Sequence, residues 1–301
     1  MANTKLIREK IKSVGNLQKI IKALEIVSTI KLQKLKTKTN NFKNFMLEFL
    51  RVLESLKNHI NIFDFDHKKW SEEGRRLIIV VSSDKWLCGG INTKLMKHIA
   101  QKYQDANMKK DVDIIAIGKK ALEFFVRDGW NVVASTPLKD NFDERDLHAI
   151  YVYINQAIAQ KTYAKIKVYF NFFKNIITQV PLRFKLYPLD QESFAAFLQD
   201  LNIAPDATLS FKKHHDLVIE PHIKDFKSNL IQELTEMIIY HAALHNKTGE
   251  HAARMLAMKN AKDNCGDIMG WLQLIYNKTR QSKITQEISE IVSAKLAIEQ
   301  N

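Results

Sequence analysis

From Gly249 to Asn301 the chain reads GEHAARMLAMKNAKDNCGDIMGWLQLIYNKTRQSKITQEISEIVSAKLAIEQN. No proline follows Pro221, so nothing in this stretch forces a helix to break. Leu256, Ala261, Cys265, Ile268, Leu272, Ile275, Thr279, Ile288, Ile291, Val292 and Ile298 recur every three or four residues. That spacing places them on one stripe of a long helix. With a rise of about 1.5 Å per residue, such a helix is longer than a small domain is wide. Its apolar stripe must lie against another long helix or enter another protein.

The other end of the chain offers a matching helix. Ile7, Ile11, Val14, Ile21 and Leu24 keep the same rhythm, and Leu35, Phe42, Phe49, Leu53, Leu56 and Ile60 continue it less strictly. There is no proline before Pro137, and Gly15 is the only early glycine. Two long amphipathic helices at opposite ends predict an antiparallel pair with everything else inserted between them. Periodicity alone leaves two arrangements open. One is a left-handed coiled coil, which a repeat near 3.5 favours. The other is two separate helices of an ordinary bundle.

The chain has 301 residues, of which 46% are hydrophobic and 26% charged, enough for a sizeable buried core. No run approaches 18 uncharged apolar residues, so no membrane-spanning helix is predicted. The N-terminal MANTKLIREKIKSV enters the helix pattern at once and lacks the apolar segment of a secretory signal. The helix begins by Lys5, which leaves no room for a removable presequence. Cys88 and Cys265 are too few for a disulfide framework and read as reduced, small, partly buried side chains of a cytoplasmic protein.

The formal net charge is +13, and much of the excess is early. Eleven cations from Lys5 to Lys43 face only Glu9 and Glu25. A basic helix can serve nucleic acid, a membrane surface, an acidic protein, or simply solubility. No zinc-finger spacing, aromatic RNA-binding motif or helix-turn-helix pattern supports nucleic acid. The apolar face reads as a packing seam rather than a membrane-inserting one.

Four segments follow: an N-terminal helix over 1–60, an α/β domain over 75–190, a connecting segment over 191–220, and a C-terminal helix over 221–301. In the second, Leu77 to Val81 is a continuous apolar run and predicts a buried parallel strand. Strands are also predicted at Val112–Ile117 and Asn131–Ala134, alternating with helices at 92–103, 119–127 and 143–160. Asp143 or Asp146 is placed to cap the last of these. Two alternating runs, 165–173 and 178–186, predict an antiparallel pair. A short helix is expected near Ser193 to Leu201. The whole predicts a Rossmann-like α/β domain inserted into a long antiparallel coiled coil.

The sequence carries few motifs of chemistry. No phosphate-binding P-loop and no G-x-G-x-x-G pattern is present. Gly89-Gly90 follows the first strand and reads either as a tight turn or as an anion site at a helix start. The adjacent pair His214-His215 is a weak metal motif, without H-E-x-x-H or C-x-x-C support. Glu250 and Arg254 have the spacing of an exposed i,i+4 ion pair. Nothing in the sequence orients Cys88 as a nucleophile. No catalytic constellation, cofactor site or metal site is predicted.

Three segments together resemble the gamma subunit of bacterial F-type ATP synthases, and the resemblance spans nearly the whole chain. The first runs from Ile7-Arg8 through Ser13-Val14, Asn16, Gln18-Lys19-Ile20 and Lys22-Ala23 to Glu25. The second is Ser82-Ser83-Asp84-Lys85, Leu87-Cys88-Gly89-Gly90 and Asn92. The third begins at Glu250-His251, Ala253-Arg254-Met255 and Asp263-Asn264, and continues through Tyr276-Asn277, Arg280-Gln281 and Ile284-Thr285-Gln286-Glu287-Ile288. The resemblance implies a central-stalk rotor with no catalytic site and no cofactor. Its partners would be the ring of three alpha and three beta subunits, the epsilon subunit and the membrane c-ring, with no nucleic acid and no insertion into the membrane. It would lie peripherally on the cytoplasmic face of the bacterial plasma membrane. The matched positions expected to meet the catalytic ring are Arg8, Lys19, Lys22, Arg254, Arg280, Gln281, Thr285 and Glu287. Trp86, Cys88, Gly89 and Gly90 would form a structural turn.

Two positions depart from the family pattern. Trp86 stands where the family has glycine, which implies a rearranged loop, a Trp packed on a neighbour, or a codon read as glycine in the source organism. Lys295-Leu296 replaces small residues near the shaft tip. Other readings remain: a gamma-like shaft of a divergent rotary ATPase, a basic nucleic-acid-binding coiled coil, or an α/β enzyme with a phosphorylated ligand at Gly89-Gly90.

Overall fold

The computed structural model describes residues 2–56, 74–104, 106–189 and 223–299. Helix α1 (Ala2–Leu56) and helix α6 (Ile223–Glu299) stand at the two ends of the chain, with the strands between them in sequence. The chain divides into two compact units that each draw on both long helices. The first combines residues 1–29 with 254–301, and the second comprises residues 30–253.

In the first unit α1 and α6 pair antiparallel. The Gln18 amide donates to the Lys262 carbonyl at 3.2 Å. Lys262 Nζ donates to the Glu25 carboxylate at 2.8 Å. A Cβ placed on Gly15 would stand 3.5 Å from the Met269 sulfur. The shielded positions of α1 include Ile7, Ile11, Val14, Gln18, Ile21, Glu25 and Ser28. Those of α6 include Met258, Lys262, Cys265, Met269, Leu272, Tyr276 and Thr279. Alternating steps of four and three are the heptad of a left-handed coiled coil, so the paired helices follow that arrangement rather than a bundle's.

The predicted stripe on α6 differs from this seam in two ways. Ile268 is exposed, and Met269 beside it faces the partner helix. Beyond Lys283 every described side chain is exposed, including Ile288, Ile291, Val292 and Ile298. The register explains this. With Gly15 opposite Met269 and each helix rising equally, the start of α1 falls close to Lys283, so no α1 residue remains to cover the rest.

The second unit is built on one sheet of five strands: β1 (Arg76–Val81), β2 (Val112–Ile117), β3 (Asn131–Thr136), β4 (Lys165–Phe173) and β5 (Gln179–Tyr187). Their order is β3-β2-β1-β4-β5. The first four are parallel, and β5 runs antiparallel to β4. Leu77 to Val81 is fully buried because both faces of β1 are covered. Leu77, Ile79 and Val81 join a core with α5 (His148–Ala159) and with α1 and α6 residues such as Phe42, Met46, Leu234 and Ile238. Ile78 and Val80 join a second core with α2 (Ile91–Lys102) and α4 (Lys119–Arg127). A short helix, α3 (Ala106–Lys110), precedes β2. Each such aliphatic side chain contributes about 1.5–3 kcal/mol on burial.

The helix predicted over 143–160 begins differently. Asp143 and Asp146 cap each other reciprocally across a 3₁₀ turn (Glu144–Leu147), and α5 starts only at His148. The short helix expected near Ser193 and the pair His214-His215 lie outside the described residues, as does most of the connecting segment. At Gly118, φ is +100° and a Cβ would approach the Ser82 carbonyl oxygen to 2.3 Å. Only glycine fits there, where the chain leaves β2 against the end of β1.

Candidate functional site

The residues of the first unit read as ring contacts fall into two groups. Arg8, Lys19, Lys22, Arg280, Gln281, Thr285 and Glu287 are exposed, whereas Arg254 is buried. Lys19 and Lys22 lie one turn apart on the rim of a groove of about 600 Å³. Lys262, Asp263 and Asp267 from α6 form the opposite rim. The Lys262–Glu25 bond crosses the seam beside it, and that hydrogen bond raises the Lys262 pKa. Thr285 Oγ1 donates back to the Gln281 carbonyl at 3.0 Å, and Lys283 lies 3.4 Å from Glu287. These contacts hold the side chains along the helix without covering them. Leu6, Leu17, Ile20, Ile284, Ile288, Ile291 and Leu296 are exposed as well. A polar surface interrupted by this much uncovered aliphatic area marks an interaction surface.

The turn after β1 is held by its own side chains. Asp84 Oδ1 accepts from the backbone N–H of Lys119 at 2.8 Å and of Leu138 at 3.1 Å. A carboxylate on the first N–H of a helix satisfies a group that otherwise lacks a partner. Asp84 thus caps the start of α4, not the start of α2 that follows Gly89-Gly90. Asn92 Nδ2 donates to Ser83 Oγ at 2.7 Å and lies 3.3 Å from Cys88 Sγ. Cys88 is buried in this network. Gly89 has φ +60° and Leu87 φ +65°, so the left-handed backbone falls on the neighbours of Trp86. Trp86 is 74% exposed. Lys120 Nζ stands 3.6 Å from its ring centroid, a cation–π contact that gives the bulky residue a neighbour.

One buried group was not legible in the sequence. Lys247 is wholly buried, with Nζ 2.9 Å from Glu250, 3.2 Å from Asp140 and 2.9 Å from the Leu138 carbonyl oxygen. Lys31 and Lys85 also donate to Asp140, and His251 Nε2 lies 3.7 Å from it. Burial pushes the Asp140 carboxyl up, but the hydrogen bonds from Lys31 and Lys85 and the charge of Lys247 outweigh it and hold it well below the usual carboxylate range. Glu250 is thus a buried partner of Lys247, and neither Glu250 nor Arg254 is at the exposed surface that their spacing suggests. Ligand atoms of Asp140, Glu250 and His251 lie within 4.8 Å of one another, close enough for a metal, but the Lys247 ammonium bonds both carboxylates. The sequence signal was the i,i+3 spacing of Lys247 and Glu250; Asp140 is too far along the chain to be found that way.

The family model described as ATP synthase matches residues 3–298. The ATP synthase gamma chain of Ruthia magnifica subsp. Calyptogena magnifica is 35% identical over 303 residues, covering 99% of this chain and 100% of that one. This chain belongs to the ATP synthase gamma family. The gamma chain of Legionella pneumophila (strain Corby) is 32% identical, with 99% of this chain and 100% of that one covered. Among solved structures, a chain of the Euglena gracilis mitochondrial ATP synthase aligns with a TM-score of 0.64 at 18% identity, covering 98% of this chain and 94% of that one. A chain of the Tetrahymena thermophila mitochondrial ATP synthase central stalk and c-ring aligns with a TM-score of 0.59 at 22% identity, covering 80% and 99%. The fold is therefore that of gamma chains, with a central parallel-dominated sheet and long helices at both ends. Among the described residues, no helix of this gamma-family chain is long and apolar enough to cross a membrane.

Proposed function

We propose that this chain is the central-stalk rotor of a proton-translocating F-type ATP synthase. It has the gamma role, coupling c-ring rotation to ATP synthesis or hydrolysis on the beta subunits. The single observation that carries the reading is the bare segment of α6. Residues 284–298 are helical and apolar at Ile284, Ile288, Ile291 and Val292, and their described side chains are uncovered by the rest of the first unit. Such a helix needs an enclosing partner, and the ring of three alpha and three beta subunits supplies one. Exposed Arg8, Lys19 and Lys22 on α1, with Arg280, Gln281, Thr285 and Glu287 on α6, are the polar contacts of that surface. Surface ion pairs contribute about 0–1 kcal/mol each, which suits contacts that break and re-form as a shaft turns. Arg254, being buried, acts from within the chain.

The rotor has no catalytic role of its own and needs no cofactor. Its remaining partners are the epsilon subunit and the c-ring, and it stands peripherally at the cytoplasmic face of the plasma membrane. Family membership disfavours the nucleic-acid and small-molecule enzyme readings. The test is ATPase activity of the same organism's alpha and beta subunits, purified with and without this chain. A stable complex with steady turnover that depends on the chain is expected. A chain that neither joins the complex nor changes its turnover would overturn the reading.

A further inference from the structure

In the second unit, α1, the end of β4 and one turn of α6 surround a cavity of about 300 Å³. Lys36, Lys43 and Lys174 line it, together with Thr39, Thr248 and His245. Among the described residues, no carboxylate stands in its wall. Among the described residues, none of the three ammonium groups has an ion-pair partner. The floor is fixed by packing. Thr39, Thr248 and His245 are buried. The Thr39 and Thr248 hydroxyls meet at 3.2 Å, and each reaches a carbonyl one turn back on its own helix. Phe172 lies flat on His245, with centroids 4.5 Å apart and planes at 7°. Lys36 Nζ stands 5.6 Å from the Phe173 ring centroid.

Among the described residues of this wall, the charge comes from the lysines. His245 is neutral at pH 7, since burial and the nearby Lys43 ammonium hold its pKa down to about 4. Three like charges around one concavity repel each other unless a counter-charge enters. The volume lies at the small end of ligand sites, which favours a compact polyvalent anion over a protein segment. Ammonium groups are point donors that suit phosphate oxygens.

We propose that this cavity binds a phosphate-bearing small molecule, its phosphate oxygens held by Lys36, Lys43 and Lys174 over the buried threonine floor. Two sources share that chemistry: a bare diphosphate, or a nucleoside diphosphate whose base lies against Phe173. The site lies outside the surface assigned to the rotor role and does not depend on it.

The experiment is calorimetric titration of the full chain with inorganic pyrophosphate and, separately, with ADP, both at fixed ionic strength. A Lys43→Ala/Lys174→Ala variant tests the site. A Lys167→Ala/Arg183→Ala variant removes two cations of the same unit that lie on β4 and β5 outside the cavity. Saturable one-site binding is expected. It should weaken roughly tenfold for each cavity lysine lost and stay unchanged in the control variant. Tighter binding of ADP than of pyrophosphate identifies the nucleotide source, and equal or weaker binding identifies the bare phosphate. No saturable binding of either probe overturns the proposal. Equal weakening in both variants does so too, because it reports general attraction to a basic protein.

Discussion

Lowering the pH from 7 to 5 should destabilise the second unit through two buried histidines one turn apart on α6. His241 is fully buried, and burial followed by the neighbouring His245 holds its pKa well below 6.5. His245 is held down to about 4. In the unfolded chain both titrate near 6.5. Between pH 6.5 and 4 the unfolded chain therefore binds protons that the folded chain refuses. The stability associated with neutral imidazoles is present above 6.5 and is lost as pH falls toward 4. One pKa unit corresponds to about 1.4 kcal/mol, so at pH 5 each histidine costs about 2 kcal/mol and the pair about 4. Other shifted groups leave this window clear or act weakly in the same direction. Asp140 is held below the carboxylate range, so its contribution is lost only at still lower pH. Lys167, brought to about 8 by burial and then by Arg183, titrates above the window. His98 is lowered by burial and then Lys102, and adds a smaller loss of the same sign. The variant His245→Phe keeps an aromatic ring against Phe172 and cannot take up a proton. Urea unfolding of both proteins at several pH values from 7 to 5 measures the slopes. The variant should lose about half of the parent's acid-dependent destabilisation. If the two slopes coincide, His245 is not held neutral by its surroundings and the reasoning fails.

Lys247→Met removes the buried ammonium shared by Asp140 and Glu250 and should cost about 3–5 kcal/mol, read as a fall in thermal midpoint, with partial recovery when Glu250→Gln is added. Gly118→Ala forces a Cβ into the Ser82 carbonyl at a positive φ and should cost about 2 kcal/mol or more by denaturant unfolding. Trp86→Gly removes one exposed cation–π contact with Lys120 and should lower stability by only about 0.5–1 kcal/mol; an increase would show that the tryptophan strains its loop. Among the described residues, truncation after Ser282 removes the partly shielded Lys283 and otherwise only exposed side chains, so the isolated chain should melt nearly unchanged while ATPase dependence on this chain in the assembled complex falls.

The pattern of strands was readable because β1 is a continuous apolar run and β2 is one apart from Asp113, ended by Gly118, and because α2, α4 and α5 follow β1, β2 and β3 at helical spacing. The coiled-coil seam was only partly readable. It passes through Gln18, Glu25 and Lys262, polar residues that a search for apolar periodicity skips, although they pair with one another across the seam. On α6 the exposed apolar positions obscured the seam further, since Ile268 and Ile288 face outward with the same periodicity as core residues. The exposed ring-facing candidates became visible through the family motifs rather than through chemistry, because an exposed lysine on a helix looks the same whether or not a partner awaits it. The Asp140–Lys247–Glu250 group was hidden by distance along the chain, and Asp84 by its role as a cap on a helix that begins 35 residues later.

The uncovered end of α6 bears on how the cell makes this protein. The described side chains from 284 to 298 are all exposed, and a lone helix of this length in water is only marginally stable. Synthesised alone, the chain would present a segment open to proteases and rich in aliphatic side chains that chaperones bind. Once enclosed, the same segment is neither. Supply of the chain is thereby tied to supply of whatever encloses it, since surplus copies carry their own mark for removal.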